Sequence, residues 1–506
     1  MKHLLTIIWL ALLATGCAEK ETSRPNIILL YLDDLGYGDV GAYGDGPTIT
    51  PQMDRLAAGG LRFTRGYAAA ATCTPSRYAL LTGRYPWRNR DARVLPGTAP
   101  LIIDTLQATL PRLLRSAGYR TAVVGKWHLG LGTGEIDWNK PISPGPNQLG
   151  FDESYILAAT QDRVPTVYLH NGTVVGLDPA DPIFVDYRQN FPGEPTGRDH
   201  PEQLTMRWHH GHDNSIVNGI SRIGFMKGGK NARWSDVDMA DHFLERTLMW
   251  IARPSEQPFF LYYALQQPHV PRTPHPRFVG RTGMGPRGDA IAEADACIGR
   301  LLDTLAEKGL LENTLLILTS DNGPVLNDGY FDDAVELLGS HRPAGPFRGG
   351  KYSLFEAGTR VPFIVHWAGR IRPGVSDAMI SQTDLLATLA ECLSLPLPQG
   401  LDSQPLAAAL TGESRQGRTG MVLEASGKTA YREGNWSLIP PYPGPAVHQP
   451  VNIESGNGEG YQLYDLSMDS GQQRNLADSL PAVLEALRQR YEAALADPAA
   501  APAVQR

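Results

Sequence analysis

Cys73 is the cysteine of this chain whose neighbouring residues favour a reactive role, and it begins the run Cys73-Thr74-Pro75-Ser76-Arg77. Small residues precede it, and the residues after it predict a short helix that ends at Gly83. Pro75 suits the first turn of a helix, where its missing N–H costs nothing. Cys73 would then lie at the positive end of that helix, which favours an anion. The alternative is a small buried hydrophobic residue, which is how most free cysteines behave.

Four apolar runs that predict buried strands each end in residues with chemical function. The runs cover residues 26–32, 121–124, 259–264 and 315–319. The side chains that follow them are, in chain order, Asp33, Asp34, Lys126, His128, His269, Asp321 and Asn322. Ligands of parallel sheets bind at the carboxyl ends of the strands, so we expect these side chains to meet in one crevice. The pairs Asp33-Asp34 and Asp321-Asn322, each taken alone, are also typical of an ordinary turn.

Three carboxylates and one amide in this group form an all-oxygen set of metal ligands. Such a set suits Ca²⁺ or Mg²⁺ and argues against zinc, which prefers histidine and cysteine.

The elements that must position these residues alternate between apolar strands and helices over residues 25–411. That alternation predicts an α/β domain with a mostly parallel central sheet flanked by helices. Residues 137–234 are rich in Pro, Gly, Asn, His and Trp with little periodicity, and predict a substrate-shaping insertion. Residues 417–498 hold short amphipathic strands and a final helix, which predict a small α+β C-terminal subdomain with an antiparallel sheet.

Composition and the amino terminus indicate an exported globular protein. The 506 residues are 42% hydrophobic and 20% charged, and the formal net charge of −7 makes nucleic acid an unexpected partner. Residues 1–16 have a basic start and an apolar stretch too short to span a bilayer, as in a signal peptide. Residues 13–17 resemble a bacterial lipobox, which implies cleavage before Cys17, its lipidation, and a tether over 17–24. An ordinary secretory signal is the alternative, and no later segment is apolar enough for a membrane helix.

Two further cysteines, Cys297 and Cys392, have no function assigned by the sequence. In an oxidising compartment they could form a disulfide, or they could be two buried thiols. The sequence leaves both alternatives open.

The run from Cys73 to Arg77, followed by Leu81-Thr82-Gly83-Arg84, resembles the signature of the type I sulfatases. The resemblance implies an alkaline phosphatase-like fold and hydrolysis of sulfate esters. It also implies that Cys73 is oxidised to formylglycine, either by a formylglycine-generating enzyme or by an anaerobic sulfatase-maturing enzyme. The hydrated aldehyde would then attack sulfur.

The same resemblance implies roles for the residues at the strand ends. The metal ligands would be Asp33, Asp34, Asp321, Asn322 and the modified Cys73, holding Ca²⁺ with Mg²⁺ as the alternative. The other catalytic residues would be Arg77, Lys126, His128, His269 and Lys351. In these roles Arg77 orients the nucleophile and the metal ligands, and His269 with Lys351 protonates the departing alcohol. His128 takes the proton of the second hydroxyl.

The predicted substrate is a sulfated oligo- or polysaccharide, because the chain resembles bacterial carbohydrate sulfatases. Galactose or N-acetylgalactosamine units of algal galactans or glycosaminoglycans are the leading expectation. Candidate sugar contacts, which could equally be ordinary loop residues, are Asp162, Arg163, His209 and His212. The alternatives are an arylsulfatase, a phosphate mono- or diester hydrolase of the same superfamily, and a glycan-binding lipoprotein with a degenerate site. The intact catalytic positions disfavour the last of these. We expect a periplasmic or cell-surface protein that meets the membrane only through its lipid anchor.

Overall fold

A computed structural model describes residues 24–44, 46 and 49–497. The predicted signal peptide, Cys17 and nearly all of the predicted tether lie outside the described residues. Each helix in the described part of the chain is too short or too polar to cross a membrane.

The described residues form a large α/β unit followed by a small sheet and a closing helix. The strands are β1 (Asn26–Leu32), β2 (Leu61–Phe63), β3 (Gly66–Tyr67), β4 (Arg120–Lys126), β5 (Glu153–Leu157), β6 (Tyr168–His170), β7 (Thr173–Val174), β8 (Phe184–Asp186), β9 (Ile216–Val217), β10 (Ile220–Ser221), β11 (Phe225–Lys227), β12 (Phe259–Ala264), β13 (Thr314–Ser320), β14 (Phe363–His366), β15 (Gly374–Ser376), β16 (Ile380–Ser381), β17 (Gly420–Ala425), β18 (Lys428–Glu433), β19 (Trp436–Ile439), β20 (Val447–His448), β21 (Ile453–Glu454) and β22 (Gln462–Asp465). The helices are α1 (Pro51–Gly59), α2 (Cys73–Thr82), α3 (Leu110–Ser116), α4 (Met239–Ile251), α5 (Gly285–Glu307), α6 (Glu356–Thr359), α7 (Leu385–Cys392), α8 (Ala407–Leu410) and α9 (Pro481–Ala496).

Ten strands form the central sheet, in the order β15-β2-β14-β13-β1-β12-β4-β5-β6-β7. Its centre, from β13 to β5, is parallel, and the strands outside it pair mostly antiparallel. The four strands predicted from the sequence are β1, β4, β12 and β13, and they lie side by side. The prediction of a mostly parallel sheet with converging strand ends is therefore confirmed.

Helices cover both faces of this sheet, because its central strands are apolar on both sides. Along β1, Ile27, Leu29 and Tyr31 pack against α2, α3 and α7. The alternate residues of the same strand pack against α1, α4 and α5 on the other face. Helix α2, which begins at Cys73, thus lies in a fully buried layer on one face of the sheet.

Residues 137–234 depart from the expected insertion. This segment supplies β5, which continues the parallel sheet, and the hairpin β6–β7, which forms its edge. The three strands are only five, three and two residues long, so they show no periodicity in the sequence. The rest of the segment consists of long loops with short two-stranded pairs, such as β9–β10 and β8–β11.

The small C-terminal sheet has the antiparallel order β17-β18-β19-β22, and α9 packs against it. It contacts the loop in front of Cys73 directly. The Glu424 N–H donates to the Ala69 carbonyl, and the Ala71 N–H donates to the Glu424 carbonyl at 2.8 Å. The C-terminal sheet therefore holds the backbone that leads into helix α2.

Cys297 and Cys392 are both free thiols, so of the two alternatives the disulfide is excluded. The two residues belong to α5 and α7, which cover opposite faces of the central sheet. Cys297 is buried in the core, whereas Cys392 is half-buried at the end of its helix.

Candidate active site

Helix α2 places Cys73 at its first position. Thr72 before it is extended, and Gly83 ends the helix with φ of 64°, a conformation that glycine adopts without strain. All ten helix residues are buried, and the Ser76 hydroxyl donates to the Ala70 carbonyl at 2.8 Å, which fastens the preceding loop. The predicted helix with Gly83 as its end, and with Cys73 at its positive end, is confirmed.

The carboxylates that follow β1 and β13 form one buried cluster, with oxygens of Asp33, Asp34 and Asp321 within 4.8 Å of one another. Consecutive residues of a strand point to opposite faces, but Asp34 has φ of 62°, which breaks the alternation after β1. The backbone N–H of Asp34 donates to Asp321 Oδ1 at 3.1 Å, and Asn322 Nδ2 donates to Asp34 Oδ1 at 2.8 Å.

This cluster has the features of a cation site. Asp33 Oδ1 and Asn322 Oδ1 are buried acceptors without a hydrogen-bond donor. Burial, followed by the charge of Asp321, raises the pKa of Asp33 well above its ordinary value. A divalent cation bound between these oxygens would satisfy the acceptors and relieve the repulsion, so the residues fit the metal expected from the sequence.

Three cations surround the carboxylates. Lys126 Nζ lies 2.5 Å from Asp33 Oδ2, and Arg77 Nη2 lies 2.8 Å from Asp321 Oδ2. Lys351 Nζ lies 2.8 Å from Asp34 Oδ2, and all of these side chains are buried. The residues predicted at the ends of separate strands are thus brought together with Arg77 of helix α2 and Lys351 of a later loop.

Asp328 also belongs to this site, although the sequence did not point to it. Its Oδ2 accepts a hydrogen bond from Lys351 Nζ at 2.9 Å, so Lys351 bridges Asp328 and Asp34. Although burial opposes it, the two carboxylates raise the pKa of Lys351 well above its ordinary value and keep it charged. Asp328 lies in an irregular loop ahead of a glycine, and that pattern is typical of a turn.

The charges of this group explain why it needs a cation. When all four carboxylates (Asp33, Asp34, Asp321 and Asp328) are ionised, they face three cations (Arg77, Lys126 and Lys351), which leaves one net negative charge. A bound divalent cation would reverse the sign to one net positive charge. Only the second state attracts an anionic ester.

His128 is oriented as a proton acceptor. Its Nε2 lies 2.9 Å from the Leu95 carbonyl, which can only accept, so Nε2 carries the proton. Its Nδ1 is buried without a partner. Burial, helped by the positive charges of Lys126 and Arg163, lowers the pKa of His128 well below its ordinary value and keeps the ring neutral.

His269 lies beside the carboxylates, with Nε2 at 3.8 Å from Asp34 Oδ2. Its Nδ1 donates to the Val270 carbonyl at 2.7 Å, so the neutral ring has a bare Nε2. Burial, followed by the charges of Lys351 and Lys126, lowers its pKa well below the ordinary value. His269 can therefore donate a proton only after it has taken up a second one.

Of the candidate sugar contacts, three form one group and one lies apart. Asp162 binds Arg163 Nη1 at 3.0 Å and His212 Nε2 at 2.8 Å, and its charge partly opposes the lowering of the pKa of His269. This group therefore adjoins the reacting centre. His209 lies elsewhere, with its ring against Phe331 on the wall of a separate small cavity.

Together the fold and the site define an enzyme of mixed α/β architecture whose buried cations can bind an anionic ester at the carboxyl ends of a parallel sheet. The family model described as Sulfatase matches residues 25–395, and the chain belongs to this family. It is a sulfuric ester hydrolase, as the sequence predicted. Membership generally implies a metal ion and a formylglycine, and the buried acidic cluster offers a site for the metal.

Relatives match nearly the whole chain. It is 46% identical to an N-acetylgalactosamine-6-O-sulfatase of Bacteroides thetaiotaomicron over 95% of this chain and 96% of that protein. It is 34% identical to arylsulfatase A of Homo sapiens over 94% of this chain and 89% of that protein. A solved structure concerned with the metabolism of multiple glycosaminoglycans by Bacteroides thetaiotaomicron has a TM-score of 0.91 and 47% identity, covering 93% of this chain and 99% of that chain.

A phosphonate monoester hydrolase of Agrobacterium radiobacter, at 19% identity and a TM-score of 0.57, shares the fold alone. These neighbours confirm the predicted alkaline phosphatase-like fold class.

Proposed function

We propose that this enzyme removes the 6-O-sulfate ester from N-acetylgalactosamine or galactose units of sulfated polysaccharides. The observation that carries the proposal is the 46% identity, over almost the full length, with an N-acetylgalactosamine-6-O-sulfatase. The group of buried Asp162 and His212 with partly exposed Arg163, beside the reacting centre, supports a sugar substrate, because its polar atoms can bind hydroxyls. We therefore assign these three residues to sugar binding and leave His209 out.

We propose Ca²⁺ as the cation, held by Asp33, Asp34, Asp321 and Asn322 with the modified residue at position 73. The all-oxygen ligand set favours it, and Mg²⁺ is the alternative. When bound, the cation would supply positive charge for the sulfate oxygens. Formylglycine at position 73 would supply a hydrated aldehyde as the nucleophile, and a maturing enzyme would be the partner that forms it.

The chain's own residues would position the ester and move the protons. Lys126 and Lys351 hold positive charge beside the place where the sulfate oxygens must lie, and stabilise the charge that develops there. The bare Nδ1 of His128 is suited to accept a proton from position 73. His269 would donate to the departing alcohol, since an entering anion favours protonation of its ring.

The leading rival is an arylsulfatase, which the 34% identity with arylsulfatase A favours. Sulfate release from a panel of 6-sulfated and 4-sulfated N-acetylgalactosamine, 6-sulfated galactose and 4-nitrophenyl sulfate separates the two. We expect the highest kcat/KM on a 6-sulfated sugar. A preference for the aryl ester would refute the proposed substrate.

Cys73→Ser tests the nucleophile. The variant should keep its thermal unfolding temperature and lose turnover, because serine has no second hydroxyl with which to expel sulfate. Mass spectrometry of the peptide containing residue 73 should show replacement of H₂S by oxygen in the wild type. Normal turnover by the serine variant would exclude formylglycine as the nucleophile.

We also propose that the protein is exported and anchored through lipid on Cys17, in the periplasm or at the cell surface. The lipobox-like residues 13–17 support this proposal. Cys17→Ala should move the full chain from the membrane fraction to the soluble fraction. An unchanged distribution would refute the anchor.

A further inference from the structure

A cavity of about 560 Å³ borders the helix that carries Cys73. Thr72 and Pro75, which lie on either side of Cys73 and Thr74, line one part of it. Arg90 and Arg93 line another part, on the loop that follows the nucleophile helix. The turn at 426–427 of the C-terminal sheet lines a third part, so the cavity lies where the two parts of the chain meet.

Tyr352 lines this cavity on the side that faces the reacting centre. It follows Lys351 directly, and Lys351 Nζ lies 5.4 Å from the centre of its ring. Its φ of 71° is unusual for a tyrosine, and its N–H donates to the Ala71 carbonyl at 2.8 Å. Strained backbone of this kind is commonest at functional sites. The cavity is thus one side chain away from the site of sulfate hydrolysis.

The cavity is positively charged although the chain as a whole is negative. Arg90 and Arg93 are both exposed, and neither guanidinium forms an ion pair with the described residues. The one carboxylate on the wall, Glu424, is buried, and burial raises its pKa to about 7. Two charged donors without partners, beside a site that takes anions, indicate a ligand that carries a further negative charge.

We propose that this cavity binds the sugar next to the sulfated one, and that Arg90 and Arg93 hold an anionic group on it. The inference rests on the proposed function, and it narrows the substrate to an acidic oligosaccharide or polysaccharide. A sulfated polysaccharide can offer two such anions, the carboxylate of a uronic acid or a second sulfate ester. Arginine binds both through paired N–H donors.

The experiment compares a 6-sulfated monosaccharide with two disaccharides, one carrying a uronic acid and one carrying a second sulfate ester. Arg90→Gln with Arg93→Gln should raise KM for one of the disaccharides roughly tenfold, since hydrogen bonds to charged groups are lost. Both kcat and the KM of the monosaccharide should stay unchanged. Which disaccharide responds identifies the anion.

Arg370→Gln with Arg372→Gln is the matched control. These two exposed arginines line another cavity, beside the edge strand β15, so the control removes the same charge elsewhere. It should leave every KM unchanged. Equal effects of the two double variants, or equal effects of the Arg90 and Arg93 variant on all three substrates, would overturn the proposal.

A measurement on the wild type guards against a misfolded variant. Reducing the uronic carboxylate to an alcohol, or removing the second sulfate, should raise KM as the double variant does. If neither change matters while the monosaccharide is desulfated, the cavity proposal fails and the proposed function stands. If the wild type desulfates no 6-sulfated sugar, the proposed function itself fails.

Discussion

Arg77→Lys should cost both stability and activity, although it preserves the charge. Arg77 donates through Nε and Nη2 to Asp321 Oδ2, at 3.1 and 2.8 Å, and through Nη1 to the Tyr262 hydroxyl at 3.1 Å and the Lys126 carbonyl at 3.3 Å. A lysine ammonium is a single point and cannot reach these separated acceptors together. Losing one hydrogen bond to the Asp321 carboxylate and the two hydrogen bonds to uncharged acceptors should cost about 3 kcal/mol of stability.

The loss of activity should be larger than the loss of stability suggests. Asp321 also accepts the Asp34 N–H, so the guanidinium fixes two carboxylates of the cation site through one contact. A displacement of about 1 Å in such a site can lower the rate roughly a hundredfold. We therefore expect kcat for a 6-sulfated sugar to fall by about that factor, measured well below the unfolding temperature.

Arg432→Lys is the matched control for this variant. Arg432 is equally buried, and it binds Glu356 Oε2 at 2.7 Å and the Leu354 carbonyl at 3.3 Å, where the C-terminal sheet meets the large domain. It should lower the unfolding temperature by a similar amount and leave kcat within about twofold. If Arg77→Lys keeps wild-type kcat, or if both variants lose kcat equally, the positioning role assigned to Arg77 is refuted.

Two further predictions concern cations and protons. Removal of bound metal by a chelator should lower the unfolding temperature. Ca²⁺ added at about a hundred times its Kd should restore roughly 2.7 kcal/mol of unfolding free energy, and Mg²⁺ should restore less. An unfolding temperature that responds to neither ion would contradict the cation site. Burial raises the pKa of Glu424 from an ordinary 4.5 to about 7, so the folded state binds the carboxyl proton of Glu424 more tightly than the unfolded state does. The free energy of unfolding of the wild type should therefore fall as pH rises from about 4.5 to about 7. Glu424→Gln has no carboxyl group to titrate, so the free energy of unfolding of the variant minus that of the wild type should increase by roughly 3 kcal/mol between pH about 4.5 and about 7. If this difference stays constant over the same pH range, Glu424 is not a buried ionisable group.

The centre of the fold could be predicted because buried parallel strands leave a clear trace. β1, β12 and β13 are continuous apolar runs, and each is followed by polar residues that an ordinary turn would not require at all three places. Their convergence follows from the parallel sheet alone.

The parts that escaped prediction depend on contacts between distant loops. Asp328 can be recognised as part of the site only in the folded chain, where the loop after β13 brings it against Lys351. β6 and β7 are too short to show alternation, and only their pairing with β5 makes them part of the sheet. His209 and His212 are three residues apart, yet only His212 reaches Asp162, because the backbone turns between them.

The hydrogen bonds between Glu424 and the loop ahead of Cys73 also set an order of events during synthesis. A ribosome that adds roughly 5–20 residues per second reaches residue 424 about 20–70 s after it has passed Cys73. Throughout that interval the loop lacks its C-terminal partner, and the thiol, which is 2% exposed in the finished protein, has not yet been closed in. Chemistry at Cys73 by another enzyme is therefore easiest before the last sixth of the chain has folded against this loop.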